Sequence, residues 1–451
     1  MRASRLVTAV AFTAALATSL AACGGDDSPG TGGSTAPTVA AADVKAGPPS
    51  GWSDGGWSPN LSALKCGQTA AEPTRGVTDT EIKIGGLGYL TSPTGSTMSG
   101  SDIGAKVRFQ RANDEGGVNG RKINFIGMLD DGNDPARNGS QGQVLAQQEK
   151  IFAAVPVMAS RANYLDAFCA ATVPFFGWGF NTAFCGTSIG FGITGCLLPT
   201  EKSVSSNTYG LMLKGIFGGD VTGKTTALIG SDDDSARTGL QSLVRQIKAV
   251  GIEVPYAENP IPAAGLNDTT AIVNAVMTSD NGGPPDLILP VTDFSTTTKL
   301  TQAFVAAGYE GEFLNAVGYD PRLTGFDGLV GSYTLLQWSP AEDASSTAVQ
   351  QLVADFKKYA PEQAVSLPTM AGYWAADMFL TAVEKLGRDV TVDRLLKLLN
   401  DDYSHYVEGA LPETRYPLNH FIGAPCASVV QLTKGAYTVP TKLSCGQLLK
   451  Q

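Results

Sequence analysis

The chain has 451 residues, a net charge of −10, 43% hydrophobic residues and 16% charged ones. A single core stops growing near roughly 250 to 300 residues, so two or three domains are expected. The acidic balance without a dense Lys/Arg run argues against nucleic acid as a partner, and the lack of a second long apolar run argues against a polytopic membrane protein.

The first element is not part of a fold. Arg2 and Arg5 precede an uncharged run from Leu6 to Leu20, which ends in Leu20-Ala21-Ala22-Cys23-Gly24. The run is shorter than the ~20 residues a membrane-spanning helix needs, and its order reads as an export signal. The ending resembles a bacterial lipoprotein signal, in which residues 1–22 are removed and Cys23 carries the lipid. An ordinary cleaved signal with an incidental Cys23 is the alternative. Residues 23–74 are expected to form a tether and N-terminal extension. From Gly24 to about Asn60 this stretch is Gly, Ser, Thr, Pro and Asp with little to bury, which suits a flexible spacer. Trp52 and Trp57 at its end either dock on the body or stay exposed.

Six further cysteines form an even set in an exported chain, which suggests disulfides. Proximity favours Cys426–Cys445 and Cys185–Cys196, leaving Cys66–Cys169. Zinc is the rival reading, but there is no C-x-x-C and no nearby His to support it.

Strands and helices then alternate. Strands are expected at Ile82–Gly88, Ile123–Leu129, Phe152–Met158 and Val173–Phe176. Helices are expected at Ile103–Asn113, from Asp134-Pro135, where Asp can cap and Pro fits the first turn, and within Asn163–Ala171. The series restarts with a helix at Ser205–Ile216. Strands follow at Thr226–Ile229, Glu253–Ala257, Leu287–Val291 and Phe313–Val317. Helices lie between them at Ser235–Val250, Asp268–Thr278 and Thr296–Ala307. Helices at Thr347–Tyr359, Met370–Leu386 and Val392–Leu399 precede a terminal hairpin, Val429–Leu432 with Tyr437–Val439. Two runs of β-α-β units imply an α/β protein with two doubly wound parallel sheets.

Motifs for chemistry are weak. Gly218 to Thr225 satisfies G-x-x-x-x-G-K-[ST], but the loop leaves a helix and enters a strand, the reverse of a phosphate loop. His405 and His420 are the only histidines, and no G-x-S-x-G elbow is present. Asp130-Asp131 reads as a turn and cap, and Asp232-Asp233-Asp234 as a loop capping the next helix. An enzyme, a cofactor and a metal are therefore not expected.

Gly76 to Gly85, Asn113 to Ile123, and Asp130-Asp131 with Asp134-Pro135-Ala136 together resemble, in order and spacing, the first lobe of the type I periplasmic-binding-protein family. These are leucine/isoleucine/valine-binding-like solute receptors of ABC importers. Ala227-Leu228-Ile229, Asp286 to Leu289 and the helix from Tyr373 to Leu386 agree in pattern. The resemblance implies two lobes joined by three crossings, with a ligand closed between them: lobe one at 75–200 plus 338–400, lobe two at 201–337 plus 401–451. It implies a monomer tethered to the outer face of the cytoplasmic membrane that delivers an amino acid or another solute, apolar or aromatic, to an ABC permease. An extracytoplasmic sensor or assembly partner with the same fold is the alternative.

Ligands of open α/β sheets sit beyond the carboxyl ends of the strands. This selects Tyr89, Leu90 and Thr91 after the first strand, Ser160 in Ala159-Ser160-Arg161 after the third, and Trp178 and Phe180 after the fourth. The second lobe offers Asp232, Thr292, Phe294, Tyr319 and Asp320. In the family, Ser/Thr hydroxyls of lobe one hold an α-carboxylate and an acid of lobe two holds the ammonium, a role open to Asp320. Here the Ser/Thr stretch shrinks to Ser160, and Trp178 and Phe180 replace a small-residue loop, which favours a larger or more apolar ligand.

Overall fold

A computed structural model describes residues 45–93, 97–199, 201–262, 265–316 and 318–451. The export signal and Cys23 lie outside these residues. The chain forms β1 (Glu81–Gly88), α1 (Ser101–Asp114), β2 (Lys122–Asp130), α2 (Pro135–Gln143), β3 (Ala153–Met158), α3 (Leu165–Ala171), β4 (Phe175–Gly177) and β5 (Gly190–Gly192). After β6 (Val204–Ser206) come α4 (Thr208–Ile216), β7 (Thr225–Ser231), α5 (Asp234–Lys248), β8 (Glu253–Ile261), α6 (Thr270–Met277), β9 (Leu287–Val291), α7 (Phe294–Ala306), β10 (Glu312–Asn315) and β11 (Tyr333–Leu336). The remainder is α8 (Thr347–Tyr359), α9 (Leu367–Glu384), α10 (Val392–Asn400), β12 (Tyr403–Val407), β13 (Leu411–Tyr416), β14 (Cys426–Thr433), β15 (Ala436–Cys445) and β16 (Leu448–Lys450).

Two sheets organise the fold. The first has strand order β2-β1-β3-β4-β5, and all its neighbours run parallel. The second has order β15-β14-β11-β10-β9-β7-β8. Its β8 to β11 side is parallel, and β14 and β15 are antiparallel additions. The chain passes between the sheets after β5, after β11 and after β13. On the middle passage it returns α8, α9 and α10 to the first sheet's core, where Tyr373, Trp374, Phe379, Leu395 and Leu396 are buried.

Most expected elements form within a few residues of their predicted ends. Asp134 caps α2 by accepting from the Arg137 amide, with Pro135 in the first turn. The decoy loop joins α4 to β7, and the Lys224 ammonium pairs with Asp286 at 2.7 Å. The start of the Ser205–Ile216 helix is instead β6, which pairs with β16. Strands β5, β11, β12, β13 and β16 were not anticipated. They are short or flanked by polar residues, so they carry little periodic signal.

Two domain expectations are corrected. The spacer does not extend over 45–60. Gly47 exchanges backbone hydrogen bonds with Cys445, and Trp52 and Trp57 are buried beside Cys426, Cys445 and Leu448. The Trp52 indole donates to the Glu413 carbonyl and the Trp57 indole to the Ser203 hydroxyl. Two large apolar rings outweigh the polar residues around them, because burying each removes a large apolar area from water. Residues 401–420, assigned above to the second lobe, belong to the first core through Tyr403, Leu411 and Tyr416. Tyr416 donates to the Gly192 carbonyl and Thr414 to that of Ile193.

All three expected disulfides form. Cys66–Cys169 ties the N-terminal extension to α3, Cys185–Cys196 closes the loop around β5, and Cys426–Cys445 links β14 to β15.

Candidate functional site

The carboxyl ends of the strands in both sheets converge on a cavity of about 480 Å3. That volume fits a small organic molecule, since such pockets run from roughly 300 to 1,000 Å3. Tyr89, Ser160, Trp178 and Phe180 border it from the first sheet, and Thr292, Phe294, Tyr319 and Asp320 from the second.

The first-sheet wall is aromatic. Trp178 packs edge-on against Phe180 at 5.0 Å between ring centres and against Trp338 at 5.5 Å. Its indole donates to the Gln337 side-chain oxygen at 2.6 Å, and Thr194 donates to the same atom at 3.0 Å. Gln337 follows β11, so this contact joins the ends of strands from both sheets. Tyr89 meets Phe180 edge-on. Burial, and then the charges of Asp131 and Asp293, push the Tyr89 hydroxyl well above its ordinary pKa, so it stays protonated and can act as a donor. Asp293 is on the second sheet's side, which brings groups of both sheets within electrostatic reach of each other.

The second-sheet wall consists of polar loops that start helices. Asp233 caps α5 by accepting from the Ala236 amide. Asp293 caps α7, accepting from the Thr296 amide and from the hydroxyls of Ser295 and Thr296. These caps satisfy amides left free in a first helical turn. Thr292 shares a 2.7 Å hydroxyl contact with Ser231.

Three expected site residues do not border the cavity. Leu90 and Thr91 are held by Asp130, which accepts from both their amides and from the Thr91 hydroxyl. Burial raises the Asp130 pKa, but donation from Thr91 and from the amides of Gly132, Thr91 and Leu90 outweighs it and leaves the carboxyl below its ordinary range. Asp232 pairs with Arg237 at 2.6 Å, and its neighbour Asp233 takes the lining position.

Three residues reach the cavity with their polar groups already engaged. Tyr319 is 1% exposed, and its hydroxyl donates to Glu342 at 2.7 Å while accepting from the Ala341 amide. Asp320 accepts from the Arg322 amide and guanidinium. Ser160 donates to the Asn133 side-chain oxygen at 2.5 Å. Arg161 also lines the cavity. The sequence showed this residue in the loop after the third strand, but not whether its charge was paired.

The histidines are structural. His420 is buried between the Gly190 carbonyl and the Asn400 side chain, and burial lowers its pKa to about 3. His405 is buried 3.9 Å from Asp377. Neither residue borders the cavity.

A family model described as periplasmic binding protein matches residues 81–436, and the chain belongs to that family, in its type I, leucine-binding-like form. A leucine binding protein from Thermotoga maritima aligns with a TM-score of 0.61 at 14% identity, over 81% of this chain and 99% of its own. A fatty acid ABC transporter substrate-binding protein from Thermomonospora curvata gives 0.61 at 17% identity, over 86% and 95%. A solute-binding protein of an R. palustris ABC transporter, in complex with 4-hydroxybenzoate, gives 0.63 at 14% identity, over 82% and 97%. No match is found among curated proteins. Among the described residues, no helix is long and apolar enough to cross a membrane.

Proposed function

We propose that this protein is a lipid-anchored receptor that binds a small apolar or aromatic solute between its two lobes and delivers it to an ABC permease. The observation that carries this reading is the cavity where the strand ends of both sheets meet, lined by Trp178 and Phe180 on one side and by capped helix starts on the other. A solute touching both walls favours the closed arrangement of the lobes, so binding drives a hinge motion without chemistry. The 4-hydroxybenzoate of one structural neighbour and the fatty acid in the name of another support an apolar or aromatic solute. The engagement of Asp320 by Arg322 supports this too, because it removes the expected ammonium partner. Lobe one would comprise the first sheet with α8 to α10, β12 and β13, and lobe two the second sheet.

Thermal-shift titration of the purified body with aromatic acids, fatty acids, amides and amino acids tests the reading. A binder raises the midpoint as its concentration passes Kd, and no shift across the panel would contradict it. Anchoring through Cys23 is tested by Cys23→Ala, which should release the protein from the membrane fraction. The sensor alternative predicts capture of a signalling or envelope protein from membranes and no capture of a permease.

A further inference from the structure

Among the described residues, five charged side chains line the cavity: Arg161, Asp233, Asp293, Asp320 and Arg322. Four of them are committed. Asp233 and Asp293 cap helices α5 and α7, where the free first-turn amides offset a negative charge. Asp320 and Arg322 neutralise each other at 2.6 Å. Arg161 is the exception. Its Nε donates to the Asn133 carbonyl at 3.4 Å, and among the described residues no carboxylate pairs with it and its two terminal nitrogens meet no acceptor. Its loop follows β3 on the first-sheet wall, the side that also carries Trp178 and Phe180.

We infer that Arg161 is the anion anchor of the site and that the solute is an apolar or aromatic carboxylic acid without an amine. This rests on the receptor reading above and specifies its ligand. A guanidinium presents parallel N–H donors that match a carboxylate in a bidentate fork. The aromatic wall takes the apolar body, where rings favour edge and offset contacts. One unpaired positive charge balances a monoanion. A phosphate dianion would leave one negative charge unbalanced beside Asp233 and Asp293. An α-amino acid would bring an ammonium to a site whose carboxylates already have partners.

A matched set of probes tests the inference on the full mature protein: 3-phenylpropionate, its neutral amide, phenylalanine and phenyl phosphate. Titration calorimetry should show the acid binding at least about tenfold tighter than each of the others, the scale of a hydrogen bond to a charged group. Arg161→Gln should weaken the acid by at least about tenfold and leave the amide unchanged. Arg161→Lys should fall between, since it keeps the charge and loses the fork. An unchanged melting midpoint of the unliganded variants shows that the fold survives. Equal binding of acid and amide, or full affinity in Arg161→Gln, would overturn the role of Arg161 while leaving a receptor. Tighter binding of phenylalanine or of phenyl phosphate would overturn the ligand class. Binding of none of the four probes, nor of any member of the wider panel, would overturn the receptor reading and this inference with it.

Discussion

The two walls of the cavity are built from different materials. The first sheet presents rings held by other rings, as Trp178 rests on Phe180 and Trp338. Behind them Phe379 of α9 touches Phe109, Phe152 and Phe176. The second sheet presents Ser231, Asp233, Thr292 and Asp293, short polar residues tied into helix starts. Its core on the α4–α5 face is largely aliphatic, with Leu228, Leu240, Ile247, Leu287 and Leu289 buried there. One wall supplies shape and apolar area, and the other supplies fixed dipoles. On the function proposed above, the solute would rest mainly on the first wall while the second closes over it.

Removing the tie that holds the first wall's support should have the largest effect. Replacing Cys66 and Cys169 with Ala opens a link between residues 103 apart in sequence and should cost about 4 to 5 kcal/mol in denaturant unfolding. The links spanning 11 and 19 residues should each cost about 3 kcal/mol. Phe379→Ala, at the centre of the aromatic core, should cost about 3 to 5 kcal/mol. If it costs less than about 1 kcal/mol, the first core is not organised around this ring.

Acid should also act on the first sheet. His420 has a pKa of about 3 in the fold against about 6.5 unfolded. Its folded pKa is depressed, so the unfolded chain takes up the proton first. Stability is complete above about 6.5 and is lost as pH falls toward about 3. Between about pH 7 and pH 4.5 the loss from this group is about 2 to 3 kcal/mol. His420→Gln should therefore flatten the acid side of the melting profile, and an identical slope in the variant would remove His420 as the cause. Trp178→Ala should weaken solute binding by more than about 1 kcal/mol and also lower the melting midpoint, because the ring is packed against Phe180 and Trp338. Asp293→Asn should change binding least, because its carboxylate serves the start of α7. A reversed order for these last two would invert the assignment of grip and lid.

Much of the fold was legible because the β-α-β alternation and the cap at Asp134-Pro135 are local signals. The body's N-terminal extension was hidden by polar composition, since Trp52 and Trp57 find their partners in distant strands. Within the site, strand ends identified the correct loops but could not rank residues inside them. Thr91 and Leu90 follow β1 as directly as Tyr89 does, yet Asp130 draws them away. Asp232 and Asp233 differ only in which of them caps and which pairs with Arg237. The free charge of Arg161 became visible only when the neighbouring charges were seen to have partners.

Hydrogen exchange with and without the strongest binder of the probe panel tests the central claim most directly. Saturation should slow exchange together in 89–91, 159–161 and 178–181 of the first sheet and in 231–234 and 292–294 of the second, with the solute recovered unaltered. Protection confined to one sheet, or a solute returned chemically changed, would contradict a receptor that closes two walls on its ligand.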